Sequence, residues 1–260
     1  MPANRKRRAS KKGKRLDVAA TATFIPTHVP KRWVKLLVAL FLLPVAGVLT
    51  QTFFNAFTRT TIRDHFWMTE EFWFFSMGAI MWLVVFFSLG RFVRVYVFGH
   101  ELTHAIWVLL MGGKVHQFHV SKRGGHILAD RTNTWIALAP YFFPIYSIIV
   151  VVIYGTCALF FDVTPYKQLL YALIGATWAF HLSFTCSMIM KGQPDLYYGG
   201  TFFSLTVIYI LNLALLVGML IFASPQLTAR RFASELFHNS MDLTVDVTVF
   251  VHRVFIHFFG

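Results

Sequence analysis

Polar and apolar positions alternate along this chain in long blocks, and each apolar block is near or above the roughly 20 residues that a helix needs to cross a bilayer. The first runs from Leu36 to Phe57 and carries Pro44 and Gly47. A short polar link, Thr58 to Glu71, follows. The second block, Phe72 to Met111, is too long for one simple span at about 1.5 Å per residue. Gly90, Arg91 and Arg94 interrupt it, which predicts a break or a tilted helix, and Gly112-Gly113 is a natural stop. Trp135 to Phe161 is the third block, with Pro140 and Pro144 bending its start. Leu169 to Met190 is the fourth, with His181 at its centre, and Thr201 to Ala223 is the fifth, with Asn212 inside it.

Between the second and third blocks the pattern changes. Lys114 to Val120 alternates apolar and polar residues and then meets Gly124-Gly125, the signature of a short strand or hairpin. Lys191 to Gly200 breaks the fourth block from the fifth and contains Pro194 and Asp195. The last 37 residues read two ways. Leu243 to Val249 alternates like a strand, whereas on a helix Asp242, Asp246, Arg253 and His257 form one narrow polar stripe. The helix is favoured because it continues through Phe259, and a sixth span stays open. The expected fold is an all-α polytopic membrane protein with about five transmembrane helices and a short hairpin or strand beside the candidate site. Three regions are expected: a basic tail over 1–35, a membrane-embedded domain over 36–223 and an amphipathic tail over 224–260.

Composition supports that class. The chain is 57% hydrophobic and 13% charged, with mean hydropathy +0.60, outside the range of ordinary soluble domains. The net charge of +13 is concentrated: 11 of the 24 basic residues fall in the first 35 positions. Such a run binds anionic lipid or nucleic acid, but before an apolar block it reads first as a cytoplasmic topology signal, and no nucleic-acid partner is expected. The basic region is too long for a cleavable signal peptide. Cys157 and Cys186 lie in apolar segments and suggest neither a disulfide framework nor a cysteine metal site. Basic residues in the links place the N-terminus, the 112–134 link and Lys191 on the cytoplasmic side, with the C-terminus opposite. The expected location is a multi-pass protein of a prokaryotic cytoplasmic membrane.

The chemistry sits in His100-Glu101-Leu102-Thr103-His104. On a helix, histidines four apart project from one face and reach one metal ion, and the intervening glutamate stands beside it as a general base. A buried glutamate among Val97, Phe98, Ile106 and Trp107 is costly without such a role. Catalytic zinc usually takes three protein ligands. The only glutamate after the motif is Glu235, in the tail, so the third ligand is sought among Asp195, His181, Asp130 and the loop histidines His116, His119 and His126. Counting rises along straight helices puts His104 about 12 Å and His181 about 15 Å from the same face, with Asp195 near the surface. Asp195 reaches the motif only if the chain dips back after Met190.

From about Leu83 to Asn212, roughly half the chain, the sequence resembles the site-2 protease family of intramembrane zinc metalloproteases. The resemblance lies in Gly99-His100-Glu101-Leu102-Thr103-His104-Ala105, the following Gly-Gly-Lys-Val turn and alternating segment, Ala137-Leu138-Ala139-Pro140, and Pro194-Asp195 near glycines. Leu196 stands where the family usually has glycine directly after the aspartate. The resemblance implies a minimal member without a PDZ insert. It also implies Zn²⁺ held by His100, His104 and Asp195, with His181 as the alternative third ligand, and Glu101 as the base. The implied partners are the lipid bilayer and a membrane-protein or peptide substrate, and the oligomeric state is left open. Three other readings fit part of the pattern: a proteolytically silent membrane regulatory or assembly factor of the same fold, a transporter or channel using Arg91, Arg94, His181 and Asn212, and a prenyl-peptide-processing protease, which needs a later glutamate ligand.

Overall fold

A computed structural model of the chain describes residues 32–88, 92–121 and 124–259. The basic tail over 1–31, Gly90, Arg91, Lys122 and Arg123 lie outside the described residues. Among those described, the elements in chain order are α1 (Arg32–Thr58), α2 (Glu70–Ser88), α3 (Val93–Leu110), β1 (Val115–Ser121), β2 (Gly124–Ala129), α4 (Thr134–Phe142), α5 (Ile145–Ala158), α6 (Lys167–Lys191), α7 (Pro194–Tyr198), α8 (Thr201–Ala223) and α9 (Ala229–Phe259). The protein is an all-α polytopic membrane protein with one two-stranded antiparallel sheet. Four stretches are long and apolar enough to cross a bilayer: Trp33–Arg63, Glu70–Ser88, Thr164–Lys191 and Thr201–Ala223. The pair α4 and α5, bent by 73° at Phe143-Pro144, qualifies as a fifth if counted as one broken span. Phe41, Phe87, Leu110 and Phe160 are each at least 71% exposed, a pattern that suits hydrocarbon and not water.

The long second block divides as its charges predict. α2 ends at Ser88 and α3 begins at Val93. The motif helix α3 is not itself among the helices apolar enough to span, because Arg94, His100, Glu101 and His104 dilute it. It is buried instead by α4, the hairpin and the rings of α6, with Tyr96 stacked on Phe184 at 4.5 Å. Its end is fixed by Gly112 at φ +71. The Gly113 N–H donates to the Val108 carbonyl at 2.8 Å and that of Gly112 to Leu109 at 2.9 Å, the paired bonds of a left-handed glycine cap. The chain then reverses into the hairpin, where His119 pairs with His126 and Val120 with Gly125.

α2 and α6 run side by side in the same direction. Glu70 accepts from Gln168 near their starts, and the Trp82 indole donates to Ser183 at 3.0 Å further along. Their backbones nearly touch: a Cβ on Gly78 would meet the Ala172 carbonyl, and one on Gly175 the Phe75 carbonyl. α1 lies on α8, with Thr50 and Tyr209 sharing a hydrogen bond at 2.7 Å. One buried cluster joins Tyr96, Leu138, Tyr141, Phe180, Phe184, Leu196 and Ile208, so that α3, α4, α6, α7 and α8 share a core.

The C-terminal segment is helical through Phe259 rather than a strand. Its first turns pack Phe232 and Leu236 into the α1–α8 layer. Glu235 pairs with Arg59 at 2.8 Å and Asn239 donates to Thr52. Beyond Ser240 the residues up to Phe258 are exposed.

The α2–α6 contact predicts a sharp contrast between glycines. Gly175→Ala is expected to cost about 1–3 kcal/mol by overpacking, read as a lower midpoint of thermal unfolding in detergent. Gly155→Ala, where a Cβ meets nothing within 4 Å, is expected to leave the midpoint unchanged or raised. Equal effects of the two substitutions would remove the close crossing.

Candidate metal centre

The helical spacing puts His100 and His104 on one face of α3, and their Nε2 atoms lie 3.2 Å apart. Asp195 Oδ2 is 3.3 Å from His100 Nε2 and 3.6 Å from His104 Nε2. These three edges match the separation of about 3.3–3.4 Å between donors of a tetrahedral ion with bonds of about 2.0–2.1 Å. Two imidazoles and one carboxylate suit a borderline ion such as zinc better than calcium or magnesium, which favour all-oxygen shells. Among the described residues this is the group of three whose ligand atoms converge, and it can hold a metal ion. All three side chains are nearly buried, at 10%, 4% and 11% exposure for His100, His104 and Asp195. A carboxylate packed this deep among imidazoles needs positive charge, and a bound cation would supply it.

Each ligand is held from behind. His104 Nδ1–H donates to the Ile136 carbonyl at 2.8 Å, leaving Nε2 free for a metal. That carbonyl is available for a definite reason. Ile136 sits in the first turn of α4, and its helical partner four residues on is Pro140, which has no N–H. Asn133 caps the same turn, its Oδ1 accepting from the Ile136 N–H at 2.9 Å. His100 Nδ1 lies 3.0 Å from the Tyr96 hydroxyl, one helical turn back. Asp195 Oδ2 accepts from the Tyr141 hydroxyl at 3.1 Å, and the Tyr141 ring stands edge-on to His100.

Asp195 comes into reach because α6 stops and the chain turns back, so straight-helix depth does not apply to it. Gly192 closes α6 at φ +70, a left-handed cap, and Pro194 opens the short helix α7. Leu196 is 2% exposed and anchors α7 in the core. The Ser204 hydroxyl donates to the Leu196 carbonyl at 2.9 Å, and Lys35 Nζ approaches the Tyr198 carbonyl at 3.4 Å. Leu196 thus fills core space directly after Asp195.

Glu101 leaves α3 on the face next to His104 and lies against the hairpin, as its place on the helix requires. It is 7% exposed, and a Cβ on Gly125 would come within 2.9 Å of its Oε1. The second strand therefore lies against the carboxylate.

The other candidates are elsewhere. His181 is buried on α6 but does not join the converging group. His119 and His126 pair across the hairpin with rings 5.2 Å apart, and Asp130 accepts from the Lys114 N–H at 2.8 Å to close the hairpin base. Tyr96, Ile136, Tyr141 and Gly125 were not among the candidates read from the sequence. Tyr96 precedes His100 by four residues and Ile136 precedes Pro140 by four, so both relations are visible as spacings once α3 and α4 are drawn. Tyr141 has no local signal, because its partner is 54 residues away. Comparisons with protein families, curated proteins and solved structures found no match to this chain.

Two measurements check the centre. Zinc content of the purified protein is expected near one per chain, lost in His104→Ala and Asp195→Ala and kept in His181→Ala. Loss with His181→Ala instead would replace Asp195 as the third ligand. Pro140→Ala restores an N–H that competes for the Ile136 carbonyl, and is expected to weaken zinc binding about 10–100-fold in a competition assay. Unchanged affinity would show that the freed carbonyl does not orient His104.

Proposed function

We propose that this chain is an intramembrane zinc metalloprotease of the site-2 protease type, which hydrolyses a peptide bond in or near a transmembrane segment. The observation that carries the reading is the convergence of His100, His104 and Asp195 with Glu101 beside them, inside a shell of membrane-type helices. A site that only stores a metal has no need of that carboxylate. The transporter reading draws no comparable support. Asn212 Nδ2 donates to the Tyr141 and Ile208 carbonyls, which ties α8 to α4. Arg94 lies on the exposed side of α3.

The chemistry that zinc supplies when bound is Lewis-acidic, acidifying a water and polarising a carbonyl. The chain's own groups do the rest. Glu101 takes the proton of the attacking water as general base and returns it to the leaving amine nitrogen. Tyr96, Tyr141 and the Ile136 carbonyl hold the three ligands in fixed orientation, so little rearrangement is needed as charge develops. The core around the site excludes bulk water and strengthens each of these interactions. A substrate helix has to unwind locally, since its peptide carbonyls are otherwise engaged, and the hairpin offers strand edges against which an extended segment can lie.

The test uses full-length protein co-reconstituted in liposomes with single-span membrane proteins, with cleavage read by mass spectrometry. Wild type is expected to yield new termini within or beside the spans, abolished by a zinc chelator. Glu101→Gln is expected to bind zinc normally and to lose cleavage. Gly125→Val is expected to displace the Glu101 carboxylate and lower cleavage about 100-fold or more, in line with losing a general base, with zinc content intact. Identical fragment patterns for wild type and Glu101→Gln would sink the reading.

A further inference from the structure

His181 is a buried imidazole that the proposed chemistry leaves idle. It is 8% exposed, and its Nε2 has no hydrogen-bond partner. Asn212 and the Tyr141 carbonyl lie against the ring, yet neither makes a well-formed hydrogen bond to Nε2. Leaving such a group unsatisfied in an apolar interior is costly, and it is tolerated where a ligand completes it.

The surroundings say what that ligand is. His181 lines a small cavity together with Gly99, His100, Phe143, Tyr146 and Phe180. The cavity runs from the metal ligand His100 to the bend between α4 and α5, on the side of α3 away from Glu101. Its walls are tied to one another. The Tyr146 hydroxyl donates to the Val95 carbonyl, and its ring stands edge-on to Phe180 at 5.2 Å. A Cβ on Gly99 would come within 2.7 Å of the Tyr146 ring, so that wall has no slack. The space is lined by aromatic and small groups, with Thr103 and the imidazoles of His100 and His181 among them; with His100 given to the metal, His181 is the imidazole left to read a polar atom.

We propose that this cavity is the subsite for a substrate side chain flanking the scissile bond, and that it selects a small hydroxyl-bearing residue, serine or threonine, whose hydroxyl hydrogen-bonds His181. The proposal rests on the hydrolase reading above and names its substrate class. A peptide laid across the metal projects successive side chains to opposite sides. One goes toward the hairpin and Glu101, and the next toward this cavity. A benzyl or isobutyl group is too large for so small a cavity. A methyl group fits but leaves His181 unpaired, and a hydroxymethyl group fits and pairs it.

Amino-acid hydroxamates test this without a known substrate, because the hydroxamate chelates zinc and carries one side chain beside it. Binding of the seryl, alanyl, leucyl and phenylalanyl hydroxamates to zinc-loaded, full-length protein in detergent is measured by calorimetry. The seryl compound is expected to bind about tenfold or more tighter than the leucyl and phenylalanyl ones, and about three- to tenfold tighter than the alanyl one. In His181→Phe, which keeps the bulk, the seryl advantage over alanyl should vanish. In His181→Ala, which opens the wall, the penalty on leucyl should shrink. Zinc uptake with no ranking by size, or a seryl preference that survives His181→Phe, overturns the subsite and leaves the metal centre standing. A wild-type protein that takes up no zinc overturns the hydrolase reading and the subsite together.

Discussion

The bond from His104 to the Ile136 carbonyl is the constraint on which the centre depends. A backbone carbonyl inside a helix is normally committed to the N–H four residues on, and in an apolar environment it gives that bond up only at a cost. Pro140 removes the competing donor, so the carbonyl is free without penalty and is aimed by the Asn133 cap. The imidazole that takes it is thereby fixed in one tautomer, with Nε2 facing inward. The order of dependence runs from a proline in α4 to a carbonyl, to a ring on α3, to the metal face. Moving Pro140 by one position would free a different carbonyl about 100° round the helix and leave His104 unsupported.

The rest of the architecture answers the problem of keeping these polar groups among apolar helices. Irregular backbone is tolerated at depth where it surrounds a polar cavity, and the described breaks cluster there. The α4–α5 bend borders the cavity beside His100. The α6–α7 break delivers Asp195. The α2–α3 interruption lets a helix too polar to span be wrapped by others. Each break is closed by a specific contact: Tyr146 on Val95, Ser204 on Leu196 and Trp82 against Phe92. Lys35 does the same from α1, its ammonium 5.0 Å from the Tyr198 ring and near the carboxyl end of α7, where a cation is favoured.

Much of this was legible in the sequence because it is local. The apolar blocks mark α1, α2, α6 and α8 almost to their ends. Gly112-Gly113 marks the cap of α3, and the alternation after Lys114 marks the hairpin. The histidine pair and Glu101 need only the helical repeat. What depends on the path between elements was not readable by the same means. Counting rises along straight helices puts His181 level with the motif and Asp195 near the surface, and it fails because Gly192 turns the chain back. The spacing of α6 says how deep His181 lies but not which way the neighbouring helix faces. Tyr141 serves Asp195 across 54 residues, and Gly125 serves Glu101 across 24, and neither pairing leaves a trace in local pattern.

The hairpin shows why a glycine-rich turn belongs beside this motif. Glu101 lies one position after His100, about 100° round α3 from it, so its carboxylate leaves the helix toward whatever packs on the next face. A residue with a side chain at position 125 would occupy the volume that the carboxylate uses, since a Cβ there falls 2.9 Å from Oε1. Glycine lets the strand backbone approach until it forms one wall around the Glu101 carboxylate. That wall helps to leave Glu101 only 7% exposed, and it brings the strand close to the candidate metal centre. On the proposed reading, an extended peptide paired with the edge of that strand would be carried past both Glu101 and the metal face by the hydrogen-bond register. In the proposed hydrolase the same close approach would desolvate the base and position the bond it acts on, and both would depend on the missing Cβ.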